Sequence, residues 1–118
     1  MAPAPWAEEQ FASAELGDRR RTKRLVKIGT NLAKNPGGTL PQAFPVWREL
    51  KAAYRFFEQG KVGFELIIAP HVEGTRRACQ QPGQYLIIED TTAVSYLDHP
   101  ATEDLGYLGD GGARIRAA

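Results

Sequence analysis

Two carboxylates, Glu89 and Asp90, follow directly on the apolar run Tyr85–Ile88. A buried charge is costly unless it is paired or binds a metal. Either the strand predicted over Tyr85–Glu89 ends at its acids, or a cation sits beside them. Carboxylates at the C-terminal end of an apolar strand suit hard divalent cations and serve magnesium-dependent phosphoryl transfer. Such a site needs two or three acids converging from different segments. The nearby acids are Asp98, Glu103 and Asp104, and no spacing among them forces convergence. On an extended strand Glu89 and Asp90 point to opposite faces. Asp90 as a simple cap of Thr91-Thr92-Ala93 stays open as the plainer alternative.

Other reactive residue types are sparse. His71 and His99 are far apart and have no cysteine partner in a zinc-like spacing. Cys79 follows Arg76 and Arg77, which favour a thiolate, but no histidine is spaced to activate it, so a structural cysteine is expected. The run Gly109–Gly112 lacks the Lys-Ser/Thr and the preceding strand of a phosphate loop.

Composition bounds the setting. The 118 residues, 42% hydrophobic and 25% charged, are those of a soluble globular protein with at most one and a half small domains. One cysteine allows no internal disulfide, which fits a reducing, intracellular location. The start "MAPAPWAEEQ" has no basic and apolar regions of a signal peptide, and no apolar run is long enough to span a membrane. The net charge of +1 conceals an asymmetry. Gly17 to Lys61 holds eleven basic and three acidic residues, a net of +8, leaving −7 on the rest. A polyanion partner for the first block is one reading, and a solvated helical face is the other.

These residues need elements to position them. No internal repeat is present. Residues 1–10 are Pro- and Ala-rich and expected to fray. "FASAELGD" predicts a short helix ended by Gly17. Asp18 then caps a longer helix, "RRRTKRLVKIGTNLAKN", with Leu25, Ile28 and Leu32 on one stripe. Arg20, Lys23, Arg24, Lys27, Asn31 and Lys34 lie opposite, and Arg21 falls nearer the apolar side, paired or reaching outward. "GGTLPQAF" reads as a loop. Pro45–Gln59 predicts a third helix with Trp47, Leu50, Tyr54 and Phe57 inward and Arg48, Lys51 and Arg55 outward. "FELIIAPHVEGTRRACQ" is helical in pattern, with Pro70 expected to break it, kink it or begin a new turn. Pro82-Gly83 is a turn, "TTAVSY" is β-rich, and the Gly-rich end is expected to be irregular. A lone strand cannot satisfy its edges, which points to partners outside this segment.

Three motifs in order, "LGDRRRTKRL" (Leu16–Leu25), "AAYRFF" (Ala52–Phe57) and "IIEDTTAVSY" (Ile87–Tyr96), resemble the N-terminal part of bacterial cut-and-paste transposases of the Tn-five type, in the broad IS-four family. The likeness spans roughly residues 10 to 109. It implies a mostly α chain: a helical domain binding double-stranded DNA at transposon inverted-repeat ends over 10–66, then an incomplete α/β, ribonuclease-H-like catalytic stub of one or two strands over 67–118. Arg20, Arg21, Arg24, Lys34 and Arg55 match DNA contacts by this resemblance. Lys23, Lys27, Arg48 and Lys51 share the same basic faces. Asp90 matches the first acid of an Asp-Asp-Glu trio that holds magnesium or manganese, and Thr91 and Thr92 complete its motif.

The resemblance also sets expectations about activity. The family cleaves the DNA backbone and transfers the freed 3′ hydroxyl, using two metals bridged by the first aspartate. The other two acids belong beyond residue 118, so this chain is not expected to act as an enzyme or to hold a metal stably. The family continues past "LGYLGDGG" into a second apolar strand, whereas this chain reads "ARIRAA". A frameshift or premature stop would explain a truncated product. The expected setting is the bacterial cytoplasm, at the nucleoid. The alternatives are a regulator that occupies ends or pairs with full-length transposase or with itself, and a non-functional gene remnant.

Overall fold

Asp18 starts the longest helix of the protein. Its side chain accepts a 2.8 Å hydrogen bond from the Arg20 amide, satisfying one of the donors a helix start leaves free. The structure, a computed structural model, describes residues 2–90, 93–95, 100–103, 106–107 and 114–117. The chain forms two compact units, Met1–Gly83 and Gln84–Ala118.

The first unit is helical: α1 (Pro3–Phe11), α2 (Arg19–Lys34), α3 (Leu40–Ala43), α4 (Trp47–Glu58) and α5 (Phe64–Ala78). Helix α1 corrects the expectation of a frayed start, and Ala12–Leu16, predicted helical, is a loop. Pro3 and Pro5 fall in the first turn, where a missing amide hydrogen costs no helical bond. Ala7 is fully buried, and a Cβ on Gly29 of α2 would stand 3.1 Å from the Phe11 ring and 3.5 Å from the Ala7 side chain. Small residues at this crossing let α1 and α2 approach closely.

Helix α2 anchors the loops around it. Thr22 Oγ1 donates to the Ala14 carbonyl at 2.8 Å, and Asn31 Nδ2 donates to the Ala43 carbonyl at 3.1 Å. Short α3 replaces part of the loop expected over 37–44. It begins with a capping box, in which Thr39 and Gln42 satisfy each other's backbone amides.

Leu16, Ile28 and Phe44 are the largest fully buried side chains. Ala14, Leu25, Ala43, Leu50, Ala53 and Phe56 complete their cluster, and Phe11, Leu40, Val62 and Ile67 pack around it. Two expected faces are therefore corrected. Leu32 stays exposed, so α2 buries Leu25 and Ile28. In α4 the inward side chains are Leu50, Ala53 and Phe56, whereas Trp47, Tyr54 and Phe57 are 68%, 42% and 51% exposed. Three residues per step lead from Leu50 to Phe56, and the stripe passes through a small alanine that a search for bulky residues overlooks.

Helix α5 continues through Pro70, which is accommodated within a single helix although it lacks an amide donor. It buries no residue fully. His71 Nδ1 lies 2.6 Å from Gln10 Oε1, tying α5 to α1.

In the second unit, Gln84–Asp90 has no regular secondary structure, so the strand expected over Tyr85–Glu89 does not form. Leu86, Ile87 and Ile88 are more than four-fifths exposed. No described strand pairs with this run. Three short antiparallel strands, β1 (Ala93–Ser95), β2 (Gly106–Tyr107) and β3 (Arg114–Ala117), form a sheet in the order β1-β3-β2. In register, Val94 faces Arg116 across one pair and Gly106 faces Ile115 across the other. The C-terminal run expected to be irregular thus supplies two of the three strands.

Candidate nucleic-acid interface

Residues at i, i+3, i+4 and i+7 share one helical face. On α2 these are Arg20, Lys23, Arg24 and Lys27, which together line one shallow surface depression. Arg20 is held back toward the helix start, its Nη2 3.0 Å from Asp18 Oδ2. Arg21 is turned elsewhere. Its Nη1 donates to the Leu16 carbonyl at 2.9 Å and fastens α2 to the preceding loop. Lys34 is exposed at the far end of the helix, a cation at the negative end of the helix dipole.

On α4, Arg48, Lys51 and Arg55 are all exposed along one ridge. None has a carboxylate within ion-pair distance among the described residues. The link between the two basic helices is Glu49, the third residue of α4. Its Oε2 lies 2.7 Å from Arg24 Nη1 and 2.7 Å from Lys27 Nζ. Lys27, then Arg24, hold its carboxyl below the ordinary carboxylate value. In the sequence Glu49 is only one of three acids within a basic block. Its partners lie 22 and 25 positions away, beyond any local spacing rule.

The structure thus brings Arg20, Lys23, Arg24 and Lys27 together on α2, ranges Arg48, Lys51 and Arg55 along α4, and joins the helices through Glu49. Such an arrangement can neutralise a polyanion backbone over the length of two helices. The chain matches the transposase DNA-binding family over residues 3–62. The chain belongs to the transposase DNA-binding family. The matched segment takes in α1 to α4, with both basic helices and every side chain just placed on them. Binding to DNA in a transposase context follows from that membership.

Asp90 lies outside the matched segment. It is exposed, as is Glu89 before it. Among the described residues no three His, Cys, Asp or Glu side chains stand together so as to hold a metal ion. Asp98 and Asp104 lie outside the described residues. Cys79 is exposed at the end of α5 rather than packed. No helix among the described residues is long and apolar enough to cross a membrane.

Proposed function

We propose that this chain binds double-stranded DNA at the inverted-repeat ends of a transposon of the Tn-five type, through the basic faces of α2 and α4. What carries the reading is the pair of basic helices, linked through Glu49, inside the segment that matches the family. Helix α2 lays Lys23, Arg24 and Lys27 on the backbone. The ridge Arg48, Lys51 and Arg55 is free of internal acid partners among the described residues, so α4 is the helix better placed to enter a groove. Phosphate contacts position the domain, and base contacts from α4 supply preference for the end sequence. Asp90 keeps its proposed place as the first acid of the catalytic trio on resemblance alone, with no step of chemistry assigned to it in this chain.

The test is a binding titration in rising salt, with inverted-repeat ends against random duplex. Log affinity should fall linearly with log salt, with a slope near −0.9 per phosphate contact, or about −4 to −6 for five or six contacts. The end sequence should bind at least about tenfold tighter than random duplex, the lower reach of base-edge discrimination. Equal affinity for both would reduce the reading to general polyanion binding.

A second reading has its own observation. Trp47, Phe57 and Phe64 are each more than half exposed, more bulky apolar surface than DNA contact by cations needs. That surface favours pairing with intact transposase or with a second copy, which would repress transposition. Co-expression with an intact relative checks it, and an unchanged transposition frequency sinks it.

A further inference from the structure

Glu49 presents one carboxylate oxygen to two cations of the α2 face, at 2.7 Å each. Its side chain is 23% exposed, and those of Arg24 and Lys27 are 31% and 49% exposed. The ion-pair cluster is therefore at the surface, within reach of a third charged group. We propose that Glu49 competes with DNA phosphate for Arg24 and Lys27, acting as an internal acid that sets the affinity of this face and weakens its dependence on salt. The inference rests on the DNA-facing role proposed above for α2.

A phosphate arriving at Arg48, Lys51 or Arg55 meets a cation with no carboxylate partner among the described residues. A phosphate arriving at Arg24 or Lys27 meets a pair that already shares one negative charge. It must displace the carboxylate or lie beside it, and like charges at close range repel. A cation neutralised from within the chain also returns little counterion release when phosphate replaces its partner. The two helices therefore contribute unequally: α4 supplies most of the salt-sensitive affinity, and the Arg24–Lys27 pair engages fully only when Glu49 yields. A random phosphate backbone gains little from that exchange, whereas a duplex seated by α4 presents its phosphates in fixed register and gains more. On this account Glu49 suppresses binding to the wrong DNA more than to the right one.

Glu49→Gln keeps the shape and removes the charge. In duplex-binding titrations it should tighten affinity for random DNA about three- to tenfold near 0.1 M salt, and steepen the log–log salt slope by about one. A packing role alone would not move the slope. Lys27→Met should cost less than about twofold in the wild type and about five- to tenfold in the Glu49→Gln background. Unchanged or weaker binding with an unchanged slope overturns the proposal. Should Glu49→Gln fail to fold by circular dichroism, the comparison moves to single variants with Glu49 intact. Arg24→Met and Lys27→Met must then each lose less affinity than Arg48→Met and Arg55→Met, and an equal or greater loss overturns the proposal. A wild type that binds no duplex even at low salt defeats the DNA-facing reading itself, and this inference with it; a wild type that binds, beside a Glu49→Gln variant that does not tighten, defeats the inference alone.

Discussion

Asp18 caps α2 and also holds the Arg20 side chain, so a single carboxylate serves the helix and trims the basic face. Hydrogen bonds from the Arg20 side chain, then from the Arg20 amide, hold its carboxyl below the ordinary value. Glu49 is lowered in the same direction by Lys27 and Arg24. A carboxylate lowered in the folded state binds protons more readily when unfolded, so its contribution is complete above its unfolded value. That contribution is lost as pH falls through the lower folded value. Both acids therefore place their stabilisation at neutral pH and withdraw it in acid. The thermal midpoint should fall as pH drops from about 5 toward 3, the range of ordinary carboxylate values. Asp18→Ala should lower the midpoint at neutral pH and leave a shallower decline on the acid side. Thermal unfolding followed by circular dichroism over this pH range reads both effects, and a variant with the same acid limb as the wild type would remove Asp18 from the account.

Among the elements, the α1–α2 crossing is the most exposed to single substitutions, because Gly29 faces Phe11 and Ala7 with no room for a branched side chain. Gly29→Val should destabilise the first unit by about 1–3 kcal/mol through overpacking, even though glycine is the poorer helix former. A denaturant midpoint equal to or above that of the wild type would show that α1 packs more loosely than this geometry has it. The same elements show what the sequence made legible. The start of α2 was readable because Asp18 is a local signal, a cap directly before a periodic run. Leu25 and Ile28 were readable by period. The inward face of α4 was not, because Trp47, Tyr54 and Phe57 carry more apolar weight than Ala53, and only tertiary packing decides which stripe is covered. Helix α3 had a local signal, Thr39-Leu40-Pro41-Gln42, but its four residues are too few for periodicity to register. Glu49 had no local signal at all, since its role exists only once α2 and α4 are side by side.

At the scale of the whole molecule, the apolar burial is one-sided. Every fully buried hydrophobic residue among those described lies in Met1–Gly83, as do the side chains packed around them. The basic helices and the residues matched by the family lie there too. The run Leu86–Ile88 is exposed, and so adds little hydrophobic stabilisation in this chain. Stability and DNA affinity should then both reside in the first unit, whatever Gln84–Ala118 contributes elsewhere. A fragment of residues 1–83 should fold with helical circular dichroism, unfold within about 5 °C of the whole chain and do so cooperatively. It should bind duplex DNA within about twofold of the whole chain and with the same salt slope, since the phosphate-facing cations are all retained. The slope is the more discriminating reading. Arg114 and Arg116 lie in β3, so a shallower slope in the fragment would mean that the second unit also touches DNA. An unfolded fragment would mean instead that Gln84–Ala118 completes the core.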